Sequence, residues 1–229
     1  MSAPKFPFPL GDDPPPPQRT PLGEVVLGHP ATKADLDKLP RTWRGEILNG
    51  TMYAFPRPRG KHQLAGGTLY GDIERSFHRG RGGPGGWLIV IEPGIELPMA
   101  KEVSPDIAGW RRERMSQIPA KGPIRVAPDW VCEVLSPRTS AYDQTIKRRF
   151  YANVGVSYLW YIDPRSRLLT ALRLNHGTWE EVGVWAGDAA ARIEPFEALE
   201  ISLADLWADV EPVQEEDDDS PSPPSSVVG

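Results

Sequence analysis

The 229-residue chain has one cysteine, Cys132. A lone cysteine excludes an internal disulfide and any cysteine-based metal cluster, and it fits a reducing, cytosolic compartment. No apolar run is long enough to cross a bilayer. The N-terminus lacks the charged-then-apolar pattern of a signal peptide. A cytoplasmic protein without membrane contact is therefore expected. No internal repeat is present, which sets aside solenoids and propellers. The glycine-rich stretch Gly80–Gly86 is followed by an apolar strand pattern and by no Lys-Ser/Thr pair. It reads as a connector and not as a phosphate-binding loop.

A strong net charge is missing as well. The formal charge is −5, but residues 211–229 carry six acidic side chains and no basic one. Without them the body, residues 1–210, stands at +1. Such a body neither announces nor forbids a nucleic-acid partner. Hydrophobic residues make up 39% and charged residues 25%, enough for a packed core. The expected organisation is a proline-rich disordered arm over residues 1–22, one domain over residues 23–210, and an acidic, Ser/Pro-rich disordered tail over residues 211–229.

Along the domain, the patterns alternate. Thr32 to Leu39 reads as a short helix with Asp35 three residues after the capping Thr32. Arg44–Leu48, Asn49-Gly50 and Thr51–Phe55 form a hairpin, since Asn-Gly is the favoured two-residue turn. Strand alternation places Glu46 and Leu48 on one face and Ile47 on the other. His62 to Phe77 is a helix with the apolar stripe Leu64, Leu69, Ile73 and Phe77. Gly66, Gly67 and Gly71 in it would permit close packing on a sheet. Strands follow at Trp87–Ile91, with Ile95–Leu97 extending or pairing with it, then at Ser104–Trp110 and Trp130–Leu135. A helix spans Thr139 to Asn153, with Gly155 past its end. Val156–Ile162 is a strand, and Leu168–Leu174 with Thr178–Trp185 is a second hairpin about an Asn175-His176-Gly177 turn. A short segment, Ile201–Trp207, closes the domain. This order predicts an α/β fold with a mixed sheet in one domain.

Three residues in these elements are out of place. Glu133 lies in the middle of the apolar run Trp130–Leu135, where an unpaired charge is costly. Asp106 lies near the start of an apolar strand. Lys147 lies on the apolar face of its helix: at about 100° per residue, Asp143, Phe150, Tyr151 and Val154 fall within about 60° of it, whereas Arg148 and Arg149 point away. Its acidic partner is either Asp143, one turn earlier, or Glu133 across the strand-helix turn. Two carboxylates on neighbouring strands with a lysine suit divalent-metal hydrolysis of a phosphodiester. The carboxylates suit Mg²⁺ or Mn²⁺, and the lysine would act on the attacking water or on the charged phosphoryl group. Glu46 is either an edge-strand carboxylate in water or part of this group. His62 is either a surface histidine or part of it.

The segments Val-Ser-Pro-Asp106-Ile-Ala-Gly-Trp and Pro-Asp-Trp-Val-Cys-Glu133-Val-Leu-Ser-Pro are followed by Asp143-x-x-x-Lys147-x-x-x-Tyr151-Ala and Leu-Trp-Tyr-Ile-Asp163-Pro. Together they resemble the Uma2 family of restriction-endonuclease-like proteins, also called DUF820, over roughly residues 30 to 207. The resemblance implies a PD-(D/E)XK nuclease: a restriction-endonuclease-like core with a mixed central sheet flanked by helices and an added N-terminal hairpin. It implies that Asp106 and Glu133 are the motif's two acids and the metal ligands. The plain superfamily motif expects lysine two residues after the second acid, where this chain has Leu135. The family moves that lysine to the next helix, and Lys147 matches the position. Glu46 and His62 match further family positions, and Glu92 is a weaker candidate.

The reading that follows is a Mg²⁺- or Mn²⁺-dependent endonuclease on DNA, with Asp106, Glu133, Lys147, Glu46 and His62 as its site. A homodimer would suit cutting two strands. Basic loops at Arg57–Lys61 and Arg111–Arg114 would meet the phosphate backbone, with Trp110 touching the ligand. Two alternatives use the same chain differently: an inactive DNA-binding module of this fold, or a scaffold acting through its tails. Cys132, on the other face from Glu133, and the strand tryptophans Trp87, Trp130 and Trp160 read as core.

Overall fold

Asn49 and Gly50 both take left-handed backbone conformations, at φ 52° and 76°, as a tight hairpin turn between right-twisted strands requires. They join β2 (Trp43–Leu48) to β3 (Thr51–Pro56) in antiparallel register, Leu48 opposite Thr51. The computed structural model describes residues 14–58 and 60–209. The acidic tail, most of the proline-rich arm and Arg59 lie outside the described residues. Of the arm, Arg19 bridges to Val25 and its guanidinium lies 5.4 Å from the rings of Trp43 and Phe55.

The hairpin does not stand alone. It lies inside a five-stranded antiparallel sheet, β1-β3-β2-β6-β5, with β1 at Glu24–Val25, β5 at Ile95–Leu97 and β6 at Ala100–Val103. Ile95–Leu97 therefore pairs with β6 and not with the preceding strand β4, Trp87–Ile91. A second sheet has the order β11-β10-β9-β8-β7-β4. Its remaining strands are β7 (Ile107–Arg111), β8 (Trp130–Val134), β9 (Tyr158–Asp163), β10 (Leu168–Asn175) and β11 (Thr178–Ala186). Only β8 and β9 run parallel; every other neighbouring pair is antiparallel. The sheet is mixed, as expected.

The expected strand Ser104–Trp110 is interrupted. Its first residues are a link by which the chain leaves one sheet, at Val103 in β6, and enters the other, at Ile107 in β7. Pro105 has no N–H to give to a ladder, and Asp106 sits in the link just ahead of β7.

Parallel neighbours need a crossover. Here it is helical: α3 (Ser140–Tyr142), a wide π-type turn at Asp143–Lys147, and α4 (Arg148–Asn153). Gly155, at φ 77°, ends it. This layer packs on one face of the six-stranded sheet with Val131, Leu159 and Tyr161. Helix α2 (Lys61–Ile73), also running into a wide turn at Glu74–His78, packs on the other face. So does α5 (Leu203–Trp207), which follows a short strand pair, β12 (Ala190–Ala191) with β13 (Ile201–Ser202).

The buried stripe of α2 is Ala65, Leu69, Ile73 and then Phe77; Leu64 is exposed. Of its three glycines only Gly66 approaches the sheet, where an added Cβ would lie 3.3 Å from Val134. Trp87, Trp130, Trp160 and Cys132 are core. The second hairpin turns on two residues, His176 and Gly177, with Asn175 already paired to Thr178.

Candidate functional site

The strand β8 alternates as a pleated strand must. Trp130, Cys132 and Val134 join the core on the α2 side, and Val131 faces the helical crossover. Glu133 shares the crossover face and is 1% exposed. The wide turn in the crossover points Lys147 at it: Lys147 Nζ lies 2.6 Å from Glu133 Oε1. The same ammonium lies 3.5 Å from Glu46 Oε1 and 3.6 Å from Asp143 Oδ1. Asp143 and Glu133 are thus both partners of Lys147, with Glu133 the closer. Lys147 is itself 1% exposed.

Glu46 reaches Lys147 from β2, in the other sheet. Tyr142 donates its hydroxyl to Glu46 Oε2 at 2.9 Å. Tyr151, one turn after Lys147, donates to Glu133 Oε1 at 2.5 Å. Asp106, in the link between sheets, accepts the Val134 N–H at 2.7 Å on Oδ2. That bond ties it to the residue beside Glu133. His62 Nε2, from the first turn of α2, lies 3.3 Å from the same oxygen. Arg44 completes the arrangement. Its Nη2 is 3.0 Å from Glu46 Oε1, its Nη1 is 3.4 Å from Asp106 Oδ1, and it donates to the Ser104 carbonyl. Asp106, Glu133, Lys147, Glu46 and His62, the five residues expected from the sequence, all line one small pocket of about 30 Å³.

Four carboxylates in this pocket, Glu46, Asp106, Glu133 and Asp143, face two fixed cations, Arg44 and Lys147. Counted as ionised, the four carboxylates outnumber the two fixed cations by two. The consequences appear group by group. Burial pushes Glu133 up to about 8, and the repulsion of Asp143, Asp106 and Glu46 adds to it against the pull of Lys147. Burial likewise pushes Asp143 up to about 6. Burial alone would lower Lys147, but the surrounding Glu133, Glu46 and Asp143 outweigh it and hold the ammonium well above its ordinary value. Burial would raise Asp106, yet the hydrogen bond and charge of His62 with Arg44 and Lys147 hold it below the usual carboxylate range. The surroundings thus favour Asp106 as an anion and Lys147 as a cation.

Among the described residues, no three His, Cys, Asp or Glu side chains converge as a ready-made metal cage. Mg²⁺ does not need one, because it keeps several waters and takes one or two carboxylates. The excess buried negative charge beside Asp106 and Glu133 fits a divalent cation of that kind.

Sequence reasoning missed Arg44. It stands two residues before Glu46 on the same strand face, and that spacing was the signal available. Glu92 touches this system through Arg44, 3.5 Å from its Nη1, and through its backbone N–H, donated to the Asp106 carbonyl at 3.0 Å. The basic loop Arg111–Arg114 is not at the site. β7 runs away from Asp106, so Arg111 lies about 16 Å along the strand. There Arg111 stacks on Trp87 and Arg114 pairs with Asp129 at 2.7 Å. Trp110 is fully buried, its indole N–H donated to the Val126 carbonyl at 2.8 Å, so it touches no ligand. No described helix is long and apolar enough to cross a membrane.

Comparison with known proteins agrees with the fold. The profile of the family Uma2, described as "Putative restriction endonuclease", matches residues 34–205. A crystal structure of "a putative nuclease belonging to DUF820" from Anabaena variabilis ATCC 29413 superposes with a TM-score of 0.61. It is 24% identical, over 78% of this chain and 98% of that one. At that identity the likeness carries the fold alone. No curated protein matches the chain.

Proposed function

The chain belongs to the Uma2 family, and from that premise we propose that it is a cytoplasmic, metal-dependent endonuclease that hydrolyses DNA phosphodiester bonds. The observation that carries this reading is Lys147, buried and charged, held among Glu133, Glu46 and Asp143 with Asp106 alongside. Nothing in a purely structural core requires four carboxylates at one point, and a buried ion pair is weak evidence for stability.

Asp106 and Glu133 would hold Mg²⁺ or Mn²⁺. Such a cation, when bound, polarises a phosphoryl oxygen and offsets the charge that develops on it. The chain's own residues do the rest. Its acidic neighbours raise the pKa of Lys147 and favour the ammonium over a base. It therefore serves as a hydrogen-bond donor, orienting the attacking water or meeting charge on the phosphoryl oxygens. Glu46, Tyr142 and Asp143 fix the ammonium in place. Arg44 and His62 hold Asp106 ionised and oriented. Tyr151 orients one oxygen of Glu133. The loop from Arg57 to Lys61 would meet the DNA backbone, and a homodimer would present two such sites to two strands.

The test is cleavage of plasmid and oligonucleotide DNA with Mg²⁺, Mn²⁺ or EDTA, in the native chain and in Lys147→Ala and Asp106→Ala. Cleavage that needs the metal and is lost in both variants is the expected result. Cleavage that survives in either variant overturns the assignment.

A further inference from the structure

Beside the carboxylate pocket lies a second cavity, of about 470 Å³. The two share Pro56, Pro58 and His62 as a common wall. Their chemistry is opposite. The larger cavity is lined by Arg57, Lys61, Arg138 and Arg165 and by no carboxylate. Among the described residues Lys61 and Arg165 enter no ion pair, and the Arg57 side chain donates only to the Arg41 carbonyl at 3.3 Å. A concave surface with several cations and no acid of its own draws a polyanion. The first turn of α2, which brings Lys61 and His62 here, has no side-chain cap, so its N–H groups add to the same positive field.

Four prolines restrict the backbone of the walls. Pro56, Pro58, Pro137 and Pro164 all line the cavity, each with its φ fixed by its ring. A preformed cavity demands little ordering when a ligand enters. No Phe, Tyr or Trp side chain is among its lining residues, so stacking is left to the His62 ring and the arginine planes, and the main contacts available are to phosphate and sugar. The volume lies in the range of about 300–1,000 Å³ that takes one small ligand. It accommodates one nucleotide unit and not a paired stretch of duplex.

We propose that this cavity holds a single, unpaired nucleotide of the strand, next to the bond that is cut, through its phosphate and sugar and without reading its base. The inference rests on the nuclease reading above and sharpens its substrate: the strand must be single or frayed where it leaves the carboxylate pocket. Leu135, which occupies the position of the superfamily lysine, lines this cavity and not the carboxylate pocket. A short apolar side chain there keeps the space open.

The experiment is fluorescence anisotropy of the full chain in EDTA at low salt. The probes are a labelled single-stranded oligodeoxynucleotide of mixed sequence, its blunt duplex, and the same duplex with a frayed end. The single strand and the frayed duplex should bind about tenfold more tightly than the blunt duplex. Lys61→Ala and Arg165→Ala should each weaken binding about five- to tenfold, equally for different sequences, and each should lower the salt slope by about one. Both side chains reach solvent, and unchanged thermal midpoints will show that the variants fold. Equal affinity for blunt and frayed duplexes, or native affinity in both variants, overturns the proposal. Because binding is read without metal, the two readings separate. Oligonucleotide affinity lost in the variants of a chain that never cleaves leaves the cavity standing and removes the nuclease. Metal-dependent cleavage by an Arg165→Ala chain of native affinity does the reverse.

Discussion

Lys147 is shared: its ammonium sits 2.6 Å from Glu133 and 3.5 Å from Glu46, which come from different sheets. One buried cation thus couples the two sheets. Replacing it by the similarly shaped Lys147→Met leaves Glu133 and Asp143 without their cation and Glu46 with Arg44 alone, and such losses cost about 3–5 kcal/mol. The double variant Lys147→Met/Glu133→Gln should recover much of that loss. Urea denaturation of the four-member cycle measures the coupling. Additive effects would show that the two do not interact.

Asp106→Asn keeps an oxygen to accept the Val134 N–H but removes the anion. Calorimetric titration with Mn²⁺ should show affinity reduced about tenfold or more, with a thermal midpoint near native. Unchanged Mn²⁺ affinity would take Asp106 out of the metal site.

The metal-free chain should lose stability as pH rises. Folded Glu133 keeps its proton to about pH 8, against 4.5 for the ordinary carboxyl, and Asp143 keeps its own to about 6, against 3.8. Between those values the folded state binds more protons than the unfolded one, so stability falls with rising pH across that window and levels off above it. Thermal midpoints in EDTA from pH 5.5 to 8.5 check this. Glu133→Gln should flatten the upper part of the curve. A midpoint that rises with pH in EDTA would contradict the excess of buried negative charge.

Gly109, in the middle of β7, has Ile89, Trp130 and Trp87 packed over it. A Cβ there would lie 2.9, 3.1 and 3.2 Å from their side-chain atoms. Gly109→Ala should cost about 1–3 kcal/mol by overpacking, read as a shifted urea midpoint without a change in slope. A neutral substitution would mean that the two tryptophans can give way.

What the sequence could reveal follows from what is local. Glu133 and Lys147 were legible because each breaks an apolar pattern within its own element. The Asn49-Gly50 hairpin was legible because its turn chemistry is contained in two residues. Glu46 and His62 needed the family resemblance, since alternation says which face a side chain takes but not what covers that face. Arg44 drew no notice for the same reason. Partition into two sheets could not be read, because Ile95–Leu97 pairs by long-range register and not by local period. Trp110, expected to touch a ligand, is buried core for the same reason: local pattern does not say what covers a strand face.

The contact between Glu46 and Lys147 spans 101 residues of chain. Closing so long a loop is slow and entropically costly, whereas the β2–β3 hairpin and the helical crossover can form from nearby residues. On a ribosome, the segment bearing Glu46 would be exposed long before the segment bearing Lys147 had been synthesised. A chain that ends before Lys147 lacks part of this charge set. The centre therefore waits on a residue about two thirds of the way along the chain, although its first carboxylate is made in the first quarter.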